Sequence, residues 1–279
     1  VESVWLWNRR FQPVQFVQEL ENLTPADPDW LTWFPEHHES AFLTDLYAVN
    51  AGQRYLIQLS GRTEQTLVLE GRREVRKIDW VPDSFNFAGF HVDASSPPTF
   101  ERFFGSEKAL SGQPVYRTLP NGQNQLVQNP ETETLRQGEA YWVYCKGTSD
   151  FCGPLKVDFP IRDGLVFGEL LREQSLKLIN ESDESRVVTV RLLPSQRPEK
   201  SSKSLPNYAG DVALSYFSLI SWKKLESPLT FTMPPGRLQE IQLAVRRADM
   251  RKSQDPEALY ESVLEVSDDK GMLYRIPVS

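Results

Sequence analysis

The segment "GEAYWVYCKGTSDFCGPLKV", Gly138 to Val157, decides the fold. A glycine turn opens it, the apolar run Tyr141 to Cys145 follows, a polar glycine-containing turn interrupts, and Cys152 to Val157 resumes the run. Strand-length runs bounded by such turns predict a β-hairpin. The segment "GQRYLIQLSGRTEQTLVLEG", Gly52 to Gly71, has the same plan. Gly52, Tyr55 and Gly61 fall on Gly138, Tyr141 and Gly147 at one constant offset, and Leu56 to Leu59 matches Trp142 to Cys145.

Working outward, "SVWLWNRRFQPVQFVQ" (Ser3 to Gln18) parallels "PVYRTLPNGQNQLVQN" (Pro114 to Asn129), again strand, turn, strand. The first half therefore reads as two copies of one module. Copy one carries about 25 extra residues between its hairpins, "ELENLTPADPDWLTWFPEHHESAFL". Copy two opens on "DWVPDSFNFAGFHVDASSPPTFERFFGS", Asp79 to Ser106, where Phe85, Phe87, Phe90 and Val92 predict a buried strand. "PTFERFF" predicts a short helix with Thr99 at its N-cap. Copy one has no such opening strand, so either the chain was cut from a longer precursor or copy one is degenerate.

From about Phe159 the pattern changes to clean alternation. "SLKLINESDESRVVTVRLLPS" contains two strands, with Leu176 and Leu178, then Val188, Val190 and Leu192, on one face. "PLTFTMPPGRLQEIQLAV" repeats the form around Pro-Pro-Gly, and "YESVLEVSDDKGMLYRIPVS" closes with two strands around a polar turn. Turns every 8–12 residues between alternating strands predict an antiparallel sandwich. The stretch Gln196 to Leu219 reads as an exposed inter-strand loop. The expected fold is all-β: a duplicated antiparallel β-module followed by an immunoglobulin-like β-sandwich. Its expected boundaries are 1–79 and 80–158 for the two copies and 159–279 for the sandwich.

The composition fits: 20 prolines, 15 glycines and 11% aromatic residues over 279 residues favour many short strands joined by turns. A net charge of −7, from 38 acidic and 31 basic residues, argues against nucleic acid as a partner. No apolar run approaches the roughly 20 residues that span a bilayer.

Chemistry-bearing residues are few. The only cysteines, Cys145 and Cys152, are spaced C-x6-C. Zinc and redox sites favour C-x-x-C, and the three histidines lie far off in sequence, so a metal or redox site is disfavoured. If Tyr141–Cys145 and Cys152–Val157 pair as strands, the two sulfurs face each other, and a disulfide is expected, with free buried thiols as the alternative. That bond would place the chain in an oxidising compartment. His37 and His38 in "PEHHES" read as solvated loop residues. Trp30, Trp33 and Phe34 in "DWLTWF" form the candidate recognition surface, with packing of both tryptophans into the module core as the alternative. No nucleophile elbow, P-loop, dinucleotide fingerprint or zinc-protease motif occurs, so no catalytic residue, metal or cofactor is expected.

Two resemblances extend this reading. "SFNFAGFHV", then "VYR", then "RQGEAYWVY" resembles the secreted bacterial β-modules of the pattern "GWNLVGFPV…VWxW…GYWV", with Phe85-Asn86-Phe87 where Trp-Asn-Leu is usual. That resemblance covers about residues 1–158. "GLVFGELLREQSLKLINES", "MPPGRLQEIQLAV" and "YESVLEVSDDKGMLYRIPV" are similar to immunoglobulin-like modules of the hydin and major-sperm-protein kind, over about 160–279. Together they imply a non-catalytic exported cell-surface or envelope protein with a structural, scaffolding or protein-binding role, whose expected partner is another protein or a surface polymer. The rival readings are a carbohydrate-binding module using exposed tryptophans and an accessory subunit of a membrane-associated complex.

Overall fold

A computed structural model of the chain describes residues 1–7, 30–50, 53–61, 75, 77–119, 122–159, 164–195 and 207–279. The expected strands at 11–18 and 66–70 and the start of the loop at 196–206 lie outside the described residues. What is described is all-β, with several antiparallel sheets and one short α-helix.

In the first sheet, β1 (Ser3–Trp7) lies between β2 (Trp30–Trp33) and β3 (Tyr55–Gln58). The second sheet has the order β4 (Ser84–Gly89), β7 (Ala140–Cys145), β5 (Val115–Thr118), β6 (Asn124–Leu126). The registers of the two sheets correspond. Val4, Trp5 and Leu6 pair with Ile57, Leu56 and Tyr55, and Val115, Tyr116 and Arg117 pair with Val143, Trp142 and Tyr141. Those partners are the residues that the two sequence alignments place opposite one another. A local detail recurs as well. The Asn50 amide donates to Tyr55 Oη at 2.7 Å, and the Arg136 amide donates to Tyr141 Oη at 2.9 Å, each five residues ahead.

Alternation decides which faces meet. Trp5, Trp7, Trp30 and Leu56 project from one sheet, and Phe85, Phe87, Tyr116, Trp142 and Tyr144 from the other, into one aromatic cluster. Trp7 meets Trp30 at 5.1 Å and Trp142 at 5.7 Å, both edge to face, while Phe87 stacks on Trp142 at 4.9 Å. Edge-to-face pairs of this kind contribute about 0.5–1.5 kcal/mol each beyond area burial.

The opposite face of β7 is covered by α1 (Phe100–Phe104). Thr99 caps it, its side chain accepting from the Arg102 amide at 3.2 Å as the sequence predicts. Phe100, Phe103 and Phe104 bury Tyr141, Val143 and Cys145, and this cluster runs without a break into the second half.

There, β8 (Leu155–Asp158) is the edge of a five-stranded sheet of order β13 (Ser221–Lys224), β12 (Leu214–Ser218), β15 (Leu238–Val245), β9 (Glu173–Asn180), β8. A four-stranded sheet has the order β14 (Leu229–Met233), β10 (Arg186–Pro194), β17 (Ser262–Asp268), β18 (Leu273–Val278). A short parallel pair joins β11 (Tyr208–Gly210) to β16 (Leu259–Tyr260). The reading of Gln196 to Leu219 as loop is corrected here, since β11 and β12 lie within it. Val212 and Leu214 are buried and anchor that stretch.

Leu176, Leu178, Ile241 and Leu243 from one sheet and Val188, Val190, Leu264, Val266 and Ile276 from the other belong to a single buried cluster. The links β9–β10 and β14–β15 each pass from one sheet to the other instead of closing hairpins. Asn180, fully buried, ties both crossings. Its side-chain amide donates to Glu184 O and Met233 O, and its carbonyl oxygen accepts from Ser182 Oγ at 2.6 Å.

The stretch 91–155 and the last two strands interlock. The Asp93 amide donates to Gly271 O at 2.9 Å and Leu273 to His91 O at 3.2 Å. Tyr274 Oη donates to Leu155 O at 2.8 Å. The His91 ring lies tilted against that of Tyr274 at 4.9 Å, and burial, reinforced by the Arg54 charge, lowers its pKa to about 4. The unfolded chain, with an ordinary His near 6.5, binds the proton first as pH falls. Stability from His91 is therefore full above about pH 6.5 and is lost as pH falls toward 4, by up to about 3 kcal/mol. Denaturant titrations should show that loss, and His91→Gln should flatten it.

Candidate functional site

The cysteines come first, because the expected disulfide does not form. Cys145 and Cys152 are free thiols. The reason is strand choice: β7 pairs with β4 and β5, whereas β8 turns away and pairs with β9, so 141–145 and 152–157 never form a ladder. The Cys145 thiol, buried in the core, donates to Gly147 O at 3.3 Å, and burial pushes its pKa up to about 11. Cys152 is half-buried, its thiol also shifted upward by burial. Neither is an activated nucleophile. Maleimide at neutral pH should modify Cys152 slowly and Cys145 only on unfolding; a native mass two protons light would contradict this.

The aromatic candidates separate. Trp30 is 7% exposed and packs on Trp7, so its reading as a recognition ring is corrected to core packing. The register Trp7↔Trp30 places it on the face that meets the second sheet. Trp33 falls on the opposite face, beside Val4, and is half-buried. Phe34 is half-buried too, edge-on to Trp5 at 5.7 Å and stacked on His38 at 4.9 Å. His38 Nδ1 accepts from the Ser40 amide at 3.1 Å, while His37 is exposed. Among the described residues no group of three or more His, Cys, Asp and Glu side chains is placed to hold a metal ion.

Next to Trp33 and Phe34 lies a feature that sequence reading missed, the loop 41–50. It is pinned along β2 by its backbone and short polar groups. The Thr32 amide donates to Asp45 Oδ1 at 2.5 Å, and the amides of Asp45 and Leu46 both donate to Thr32 O at 2.9 Å. Thr32 Oγ1 donates to Leu43 O at 3.2 Å, and the Phe34 amide donates to Thr44 Oγ1 at 3.0 Å. Leu46 is buried as the loop's plug, and Tyr47 Oη bonds back to Thr44 O at 2.8 Å.

The rest of the loop's apolar side chains point outward. Phe42 is 83% and Tyr47 85% exposed, and Leu43 and Val49 are exposed as well. Singly exposed apolar residues are ordinary; four large ones on one pinned loop make a candidate recognition surface whose ordering cost is already met. Their signal in "AFLTDLYAV", Ala41 to Val49, was an apolar density without strand alternation, at the end of the extra segment and just beyond it. No protein-family model matches the chain, and no curated protein is significantly similar to it.

Proposed function

We propose that the chain is a non-catalytic exported cell-surface or envelope protein that scaffolds or binds another protein. The observation that carries this reading is the loop 41–50, held by hydrogen bonds to β2 while Phe42, Leu43, Tyr47 and Val49 face solvent. A rigid apolar surface of that kind suits a partner's apolar groove, with Trp33 and Phe34 as its flank.

The architecture we propose beneath it is a duplicated β-module followed by an immunoglobulin-like sandwich, with divisions at 1–79, 80–158 and 159–279 and with β8, at the end of the second unit, lent to the sandwich as an edge strand. Duplication is supported by the corresponding registers of β1–β3 and β5–β7 and by the paired Tyr55 and Tyr141 hydroxyl contacts. The sandwich is supported by two antiparallel sheets that share one buried cluster and exchange strands through β9–β10 and β14–β15. Export rests on the resemblance to secreted β-modules; the free thiols lend it nothing. Among the described residues no helix is long and apolar enough to cross a membrane.

Fractionation of the cells that make the chain, followed by native purification, tests this. The expected result is extracytoplasmic protein carrying a stoichiometric protein partner. A cytosolic monomer without one would sink the proposal. A glycan array gives the carbohydrate reading its chance: glycan binding abolished by Trp33→Ala would replace the protein-binding role.

A further inference from the structure

A second exposed apolar feature lies far along the chain, at the hairpin of β12 and β13. Phe217 pairs with Trp222 and Ser218 with Ser221, leaving only Leu219 and Ile220 as the tip. Those two side chains are 94% and 92% exposed. Two-residue hairpin tips are normally built from Gly, Asn or Asp, because the turn needs a positive φ. Here the residue at φ +57° is Leu219, and the Ile220 amide donates to Ser218 O at 2.6 Å, closing a tight three-residue turn around it. A branched apolar residue in the left-handed region carries strain, and a neighbouring bare Ile gains nothing from folding. Stability alone would have selected Gly-Asn at this tip.

Below the tip the side chains are graded. Phe217 and Trp222 meet edge to face at 5.4 Å and are both partly open to solvent. Further down β13 come Lys223 and Lys224, both exposed, and Lys224 is engaged by Glu226 at 3.4 Å and Asp249 at 3.3 Å. The base is firm: Leu214 and Leu225 are buried, Leu225 donates to Leu214 O at 2.9 Å, and β12 pairs with β15 through Leu214, Ser215 and Tyr216.

We propose that this hairpin is a membrane-surface anchor, whose Leu219–Ile220 tip inserts into the acyl boundary of a bilayer with Phe217 and Trp222 at headgroup level. The order of apolar tip, aromatic pair and lysine reproduces the depth profile of an interface. The tip is convex, which a fluid bilayer accepts without a matching shape, whereas a protein partner would need a dedicated pocket. Attraction to anionic lipid is secondary, since Lys223 is the one tip-proximal cation without an acidic partner among the described residues and the chain carries a net charge of −7. Insertion is therefore driven by apolar burial and depends little on salt. This surface is independent of loop 41–50, and failure of either leaves the other standing.

Co-sedimentation of the full chain with sucrose-loaded vesicles tests it, using pure phosphatidylcholine and a 3:1 mixture of phosphatidylethanolamine and phosphatidylglycerol. The wild-type chain should bind both, with affinities that agree within a few-fold between low and physiological salt. The double substitution Leu219→Gly with Ile220→Asn fits the turn better, so its thermal midpoint should equal or exceed that of the wild type. Its vesicle affinity should fall about a hundredfold, the effect of removing two inserted aliphatic side chains. Absence of wild-type binding, or equal binding by the variant, would overturn the proposal. So would a photo-crosslinker at position 220 that captures protein and no lipid in native membranes.

Discussion

Arg186→Ala should lower the unfolding free energy by about 3–5 kcal/mol, a large fraction of the stability of an ordinary domain. The side chains of Arg186 and Asp268 are 1% and 0% exposed and bonded at 2.6 Å, joining the start of β10 to the end of β17. Arg186 Nε also donates to Ser182 Oγ at 2.9 Å, and Asp268 Oδ1 accepts from the amides of Lys270 and Met272 at 2.9 and 2.8 Å. Removing the guanidinium leaves a buried carboxylate with two amides as its remaining neighbours. Equilibrium denaturation measures the loss. The double variant Arg186→Met with Asp268→Asn should recover part of it, because the amide keeps an acceptor for the turn and no charge stays buried. A single-variant loss under 1 kcal/mol would mean the pair is not buried as described.

The second large effect belongs to Gly271. Its φ is +95°, and a Cβ there would stand 2.3 Å from Ser96 O and 2.8 Å from Pro98 Cδ. No flexible side-chain end is there to step aside, so Gly271→Ala must displace the 94–98 turn as a whole and break the bond from the Asp93 amide to Gly271 O. Overpacking and backbone strain together should cost about 3 kcal/mol or more. Gly236→Ala is the control. Its φ is +67° with nothing within 4 Å, so conformational strain alone, about 1–2 kcal/mol, should appear. Equal effects at the two sites would show that the 93–98 turn and the β17–β18 turn are not interlocked at Gly271.

Much of the fold was readable because strand identity is local. Alternation marks Tyr141–Cys145 and Leu176–Leu178 as strands, and Thr99 marks a helix start, without reference to the rest of the chain. Strand partnership is not local, and that is where the reading failed. Leu155–Asp158 follows a turn that looks like the middle of a hairpin, yet its ladder partner is Lys177–Asn180. The disulfide fell with that one choice. Trp30 failed for a related reason: whether a strand residue faces core or solvent depends on register, and Trp7 fixes the register of β2. The tips at 42–49 and 219–220 were missed because apolar residues in turns break the polar-turn rule that sequence reading relies on.

The proposed role rests on the pinned loop meeting a protein. A photo-activatable residue at Tyr47, introduced in the cells that make the chain, tests this directly, with Lys252 on an exposed segment as the control site. The expected result is one dominant protein adduct from position 47, absent from position 252 and lost when Phe42→Asp is added without change in the thermal midpoint. Adducts equal in kind and amount at both positions, or none at position 47, would contradict it.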